Sequence, residues 1–91
     1  MEKYLIIIAK SEKNYSAYAP DVLGCIATGQ TIEETLTNMV EALQFHFEGM
    51  RDDEVEIPTP KGFNYHFNSG ELPIGADYFI TEAFVQIPHH V

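Results

Sequence analysis

Cysteine, tryptophan and basic residues are scarce or missing in this sequence. Its 91 residues include one cysteine, Cys25, no tryptophan, and five Lys or Arg against fourteen Asp or Glu. A single cysteine excludes an internal disulfide and indicates a reducing compartment. The formal net charge of −9 argues against autonomous binding to nucleic acid, because that affinity comes largely from Lys and Arg that neutralise phosphates. It favours a basic protein partner instead, although many domains are acidic for solubility alone.

Long apolar runs are also missing. The N-terminal run, residues 5–9, is too short for a signal peptide or a membrane span, and no small-residue cleavage site follows it. We therefore expect a cytoplasmic protein that does not associate with membranes. The length fits a single domain, 1–91, which buries roughly 60–65% of its unfolded surface and leaves no room for a separate DNA-binding module.

Four segments have the composition of β-strands. Residues 4–9 are apolar throughout and rich in β-branched side chains, which is typical of a central strand covered on both faces. The segment 15–19 alternates aromatic and small residues and predicts a hairpin partner that ends at Pro20. A short third strand is expected over 25–28, and the chain becomes strand-like again from about 78 to 88.

One long helix is predicted after the third strand. Thr31 and Glu34 form a capping box, in which the threonine hydroxyl accepts a first-turn N–H and the glutamate reaches back to the cap. Apolar residues then recur at three- and four-residue spacing, which indicates a stripe that faces the core. They are Ile32, Leu36, Met39, Val40, Leu43, Phe47 and Met50. Gly49 and the acidic run 52–54 mark the end of the helix.

The predicted fold class is α+β. It comprises a small antiparallel sheet, built from three N-terminal strands and the C-terminal strand, with the long helix packed across one face. The core is expected over 3–60 and the last strand, and 61–77 should form a loop or irregular hairpin that packs through Phe63, Tyr65 and Phe67. Because one helix leaves the second sheet face bare, we expect a dimer or a tetramer, with 61–81 as a candidate contact segment.

The sequence offers little catalytic chemistry. There is no phosphate-binding glycine loop or nucleophile elbow, and no ligand spacing links the four histidines. His46, at the edge of the helix stripe, is expected to be half-buried and structural, while His89 and His90 fall in a C-terminal tail. Cys25 is expected to be a small buried hydrophobe rather than a nucleophile. We expect no enzymatic activity, no metal and no cofactor.

Phe45 is the residue that a purely structural interpretation does not explain. With Leu43 at the centre of the apolar stripe, Phe45 lies about 160° away at 100° per residue. A phenyl ring among carboxylates and an amide is typical of an anchor with an acidic rim that meets a basic protein. The predicted partner-binding residues are Glu34, Asn38, Glu41, Phe45 and Glu48. The alternative is that the segment 61–67 folds back and covers Phe45.

Several stretches together resemble the HicB-like antitoxin family. They are YSAYAPDVLGC over 15–25, ATG over 27–29, TIEE over 31–34, NMVEA over 38–42 and IPTP over 57–60. We interpret the motif positions as structural, because a proline–aspartate corner, glycines at strand ends and a helix cap all fix backbone geometry. These structural residues are Tyr18, Pro20, Asp21, Gly24, Cys25, Gly29, Thr31 and Glu34.

The resemblance implies a fold similar to a trimmed ribonuclease H. The nuclease chemistry would be lost, since the first strand, 4–9, contains no acid. Members of the family commonly mask a small basic mRNA-cleaving toxin, a HicA-like ribonuclease, and the charge of −9 suits that task. Many members also contain a C-terminal DNA-binding motif, but 61–91 shows no convincing helix or basic patch, so no direct contact with nucleic acid is expected.

Three hypotheses of function follow. The first is a non-catalytic antitoxin of a type II toxin–antitoxin pair. The second is an orphan homo-oligomeric structural or regulatory module that has no toxin. The third is a residual hydrolase, for which catalytic groups are lacking.

Overall fold

The computed structural model describes residues 1–88, which form a four-stranded sheet with a long helix on one face. The strands are β1 (Glu2–Lys10), β2 (Tyr15–Ala19), β3 (Val22–Gly29) and β4 (Tyr78–Val85), and the helices are α1 (Ile32–Asp52) and α2 (Phe63–Asn68). The strand order is β3-β2-β1-β4, and every neighbouring pair is antiparallel. The predicted α+β class is confirmed. None of the helices in this described part is long and apolar enough to cross a membrane.

The central strand β1 is buried on both faces, as its composition predicts. Residues 4–8 are each 0–1% exposed. Tyr4, Ile6 and Ile8 belong to the main core, which they form with residues of α1, while the alternate residues Leu5 and Ile7 face the other way. The strand begins earlier than predicted, at Glu2, so the expectation of a first strand without an acid is wrong at this end. Glu2 is exposed and lies outside the buried run.

The N-terminus of α1 is fixed by capping and by a close approach to β3. The Thr31 hydroxyl accepts the N–H of Glu34 at 3.0 Å, as predicted, while the Glu34 carboxylate accepts the N–H of Gln30 at 3.2 Å, one residue before the cap. Gly29 is buried against the first turn. A Cβ there would lie 2.6 Å from Thr35 Oγ1 and 2.8 Å from its backbone N, so the helix can pack this closely only against glycine.

The prediction of a loop or irregular hairpin over 61–77 is wrong in part, because residues 63–68 form α2. The expectation of no helix after residue 61 fails for the same reason. A six-residue helix spans fewer than two turns, which is too short to show a hydrophobic period. The expected packing is also reversed. Phe63, Tyr65 and Phe67 are 42%, 48% and 64% exposed, and the buried residue is His66, at 2%.

The segment 61–77 lies against the sheet face opposite α1. Ile7 pairs with Ile80 across β1 and β4, so both side chains lie on that face. Ile80 and Tyr78 line a groove together with Phe63 and Phe67. The expectation that this face is bare is therefore wrong where the segment covers it. Ile26, which lies on the same face through its pairing with Tyr18, stays 67% exposed.

Candidate functional site

The outer face of α1 presents an exposed phenyl ring among acids. Phe45 is 79% exposed, so the alternative that 61–67 covers it is wrong. Glu41 and Glu48 are exposed as well, and their spacing of four and three residues from Phe45 places them on the same side of the helix. The structure thus brings the predicted anchor and its acidic rim to one accessible surface. Its use by a partner stays a prediction.

Two of the five predicted binding residues have structural partners. The Asn38 amide donates to the carbonyl of Thr28 at 2.8 Å, which ties α1 to the edge strand β3, and Asn38 is half-buried. Glu34 receives the N–H of Gln30 and completes the helix start. Both therefore support the fold. Glu41, Phe45 and Glu48 are the members of the set best placed to meet a partner.

Asp21 does more than form the predicted corner after β2. One oxygen, Oδ1, lies 2.9 Å from His66 Nε2, and the other accepts the backbone N–H of Lys61 at 3.1 Å. The Asp21 and His66 side chains are each 3% exposed. A buried aspartate with two donors from the segment 61–77 explains why an acid is needed at this corner. The sequence predicts the corner at Asp21, but it does not predict the contact with His66, which lies 45 residues further along the chain.

The second ring nitrogen of His66 also faces a carboxylate. His66 Nδ1 lies 3.1 Å from Glu71 Oε2, and the other Glu71 oxygen accepts the Ser69 hydroxyl at 2.9 Å. The Ser69 hydroxyl, and next the His66 ring, hold the pKa of Glu71 below its ordinary value. Each ring nitrogen of His66 thus has a carboxylate oxygen within hydrogen-bond distance. The three groups form an anchor, the His66 anchor, for the segment 61–77.

This anchor was missed at the level of sequence. His66 lies in the aromatic segment FNYHFN. This segment shows neither the residue spacing of a metal site nor the hydrophobic periodicity of a helix or strand. Within residues 1–88, no group of three His, Cys, Asp or Glu side chains is arranged to hold a metal ion. The two acids of the anchor bind different ring nitrogens and so do not converge on one point.

Other predicted structural residues lie where expected. Cys25 is 5% exposed, and burial raises the pKa of its thiol, which confirms a small buried hydrophobe. Gly24 has a φ of 82°, a conformation that favours glycine. His46 is half-buried and meets Phe47 edge-on at 6.4 Å between ring centroids. The predicted tail histidines, His89 and His90, lie outside the described residues.

Comparison with known proteins matches this architecture to one family. The family model described as HicB_like antitoxin of bacterial toxin-antitoxin system matches residues 4–81. An uncharacterized 14.9 kDa protein of Haemophilus phage HP1 is 35% identical over 86 residues, which cover 94% of this chain and 62% of the phage protein. A UPF0150 protein of Helicobacter pylori is 33% identical over 55 residues, which cover 60% of this chain and 76% of that protein. The chain therefore spans about three fifths of the phage relative's length.

Solved structures share the fold. The N-terminal domain of the antitoxin HicB from Burkholderia pseudomallei superposes with a TM-score of 0.78 at 21% identity, over 93% of this chain and 99% of that domain. A chain of the HicA3 and HicB3 toxin–antitoxin complex superposes with a TM-score of 0.71 at 25% identity, over 96% and 99% of the two chains. The family match over 78 of the 91 residues, from 4 to 81, confirms the resemblance seen in the sequence. This chain belongs to the HicB-like antitoxin family of bacterial toxin–antitoxin systems.

Proposed function

We propose that this protein is a non-catalytic antitoxin that masks a small basic mRNA-cleaving toxin of the HicA kind. Family membership supports an antitoxin role, and a chain of similar fold belongs to a complex of HicA3 with HicB3. The proposal places the protein in the cytoplasm, where such a toxin meets mRNA. The likeness to a trimmed ribonuclease H stays a prediction.

The observation on which the proposal rests is Phe45, exposed with carboxylates on either side. A phenyl ring that is 79% exposed offers on the order of 150 Å² of surface. Burying that surface contributes about 4 kcal/mol at 25 cal/mol per Å², before the costs of association. That is enough for one side chain to act as an anchor of an interface.

The charges around Phe45 select the kind of partner. Glu41 and Glu48 flank the ring on the same side of α1, and the formal net charge of the chain is −9. A basic toxin would be steered toward this surface by long-range attraction and oriented by the acidic rim. An acidic or neutral partner would gain the apolar contact without the attraction. Charge therefore supports a cationic toxin.

Three variants test the surface. The tagged chain is expressed in its native host, the captured proteins are identified by mass spectrometry, and affinity for the captured toxin is then measured by calorimetry. Phe45→Ala and Glu48→Lys should weaken binding about tenfold to a hundredfold, with unchanged thermal unfolding. The control is Leu23→Ala, since Leu23 is apolar and 89% exposed but lies on β3. Equal affinities for all three variants would show that the outer face of α1 is not the site.

The second hypothesis, an orphan module without a toxin, is separated by the same capture. It predicts that only further copies of this chain are recovered. A small basic ribonuclease captured in stoichiometric yield would exclude it.

A further inference from the structure

A small polar pocket lies beside Phe45, between α1 and the chain that follows β4. Its volume is about 190 Å³. It is lined by Gln44, Glu48, Gln86 and Pro88, and we call it the Glu48 pocket. Gln44 and Glu48 are one helical turn apart and lie on the same side of α1. Because Glu48 also follows Phe45 by three residues and is its neighbour on the helix surface, the pocket adjoins the exposed ring.

The polar side chains of the pocket offer hydrogen-bond acceptors around a single negative charge. The Glu48 carboxylate has two acceptor oxygens, and the side-chain amides of Gln44 and Gln86 each add a carbonyl oxygen. Among residues 1–88, no Lys, Arg or His side chain forms an ion pair with Glu48. The pocket is therefore complementary to a cation that this part of the chain does not itself provide.

The volume of the pocket limits its occupant to one side chain. Pockets that take small molecules or cofactors span about 300–1,000 Å³, whereas this one measures about 190 Å³. Two separate elements form its walls, since Gln44 and Glu48 belong to α1 and Gln86 comes directly after Val85, the buried last residue of β4. The core thus fixes both walls, and the pocket is ready to receive a side chain that a partner inserts.

Arginine fits this pocket better than lysine does. A planar guanidinium can pair with both oxygens of Glu48 and still direct N–H groups at the amide oxygens of Gln44 and Gln86. An ammonium has three donors on one nitrogen and does not match a carboxylate in this bidentate way. Pro88 adds an apolar wall, against which the methylene groups of an arginine can pack.

We propose that the Glu48 pocket receives an arginine side chain of the toxin, with its guanidinium on Glu48 and on the amides of Gln44 and Gln86. The proposal rests on the proposed antitoxin function, and it adds Gln86, outside α1, to the contact surface. Phe45 supplies apolar area in any rotation of the partner, whereas a bidentate ion pair beside it fixes one orientation. Ring and pocket together would select a toxin with an arginine at the matching place.

Calorimetric titration of the captured toxin with variants of this chain tests the pocket. Glu48→Gln removes the charge that a bound guanidinium needs and should weaken binding about tenfold or more. Gln86→Ala removes one acceptor and should weaken it about threefold to tenfold. The matched control is Glu41→Gln, because Glu41 is exposed and flanks Phe45 but does not line the pocket. It should change the affinity by no more than about threefold.

Replacement of each toxin arginine by lysine then identifies the occupant. One of these changes should weaken binding to the wild type about tenfold and binding to Glu48→Gln much less, which a double-mutant cycle measures as coupling. Equal effects of Glu41→Gln and Glu48→Gln would overturn the pocket, as would coupling of Glu48 to a toxin lysine or to no arginine.

The outcome also separates this proposal from the toxin site itself. If Phe45→Ala weakens binding while Glu48→Gln and Gln86→Ala do not, the site on α1 stands and the arginine pocket is wrong. If Phe45→Ala binds as tightly as the wild type but Glu48 couples to one arginine, the pocket stands without the phenyl anchor. Recovery of no toxin from the native host would overturn both.

Discussion

The His66 anchor makes the sharpest prediction about stability. His66→Ala removes the ring that joins Asp21 to Glu71 and leaves the N–H of Lys61 as the bond between Asp21 and the segment 61–77. The two acids are affected differently. The Glu71 side chain is 48% exposed and remains solvated, so its loss of a partner matters little. The Asp21 side chain, 3% exposed, is left with a single donor, the N–H of Lys61.

The expected loss of stability comes from Asp21, which stays buried with one hydrogen-bond donor. Removing the hydrogen-bond partner of a buried acceptor costs about 1–3 kcal/mol, and more when the acceptor is charged, so the expected loss of stability is about 3 kcal/mol. A domain of this length has a free energy of unfolding of about 5–13 kcal/mol, so the variant should still fold. In an Asp21→Asn background the same change strands no charge and should cost about 1 kcal/mol. The expected coupling energy is therefore about 2 kcal/mol.

Urea unfolding of the wild type, the two single variants and the double variant measures this coupling. His46→Ala is the control, because His46 is half-buried on α1 and packs edge-on against Phe47; it should cost about 1 kcal/mol. Hydrogen exchange should show that the amides of α2 lose protection before those of β1 in the His66 variant. A loss below about 1 kcal/mol, or additive effects of the Asp21 and His66 changes, would refute the anchor.

Two further predictions concern a close contact and an acid. Gly29→Ala forces a Cβ to within 2.6 Å of Thr35 Oγ1 and should lower the free energy of unfolding by about 1–3 kcal/mol. In Gly49→Ala, on α1, the added Cβ meets no atom within 4 Å, so this change should raise the free energy of unfolding by about 0.5–1 kcal/mol. Thermal melts in which Gly29→Ala is as stable as Gly49→Ala would contradict the packing described. The pKa of Glu71 is lowered in the folded state, so its stabilisation is present above the ordinary value of 4.5 and is lost as the pH falls through the folded pKa. Glu71→Gln should therefore be less stable than the wild type at neutral pH, with a difference that disappears in acid; a constant difference across the titration would show that charge plays no part.

The elements with strong local signals were predictable from the sequence. An apolar run bounded by lysines predicted the buried centre of β1, and alternation over 15–19 predicted β2 with its observed ends. Thr31 and the apolar stripe predicted α1 to within a few residues. In each case neighbouring residues contain the information, because capping and periodicity are local properties of the chain.

The segment 61–77 was not predictable in the same way. The short helix α2 is held by the pairing of His66 with Asp21, two residues far apart in sequence, and nothing local indicates that contact. The exposure of Phe45 was predictable from helical geometry, because a residue about 160° from the centre of the apolar stripe faces away from the core. Asn38 was predicted to contact a partner because it lies on the outer face of the helix. In the structure its side-chain amide donates a hydrogen bond to the carbonyl of Thr28.

The central claim is tested most directly by an RNA cleavage assay. The basic ribonuclease captured from the native host is titrated with this protein, in parallel with its Phe45→Ala variant. The account predicts that cleavage of mRNA stops at a stoichiometric amount of the wild type and that the variant requires about tenfold more or greater. Undiminished cleavage at excess wild-type protein would contradict the antitoxin role, and equal inhibition by the two forms would contradict the site on α1.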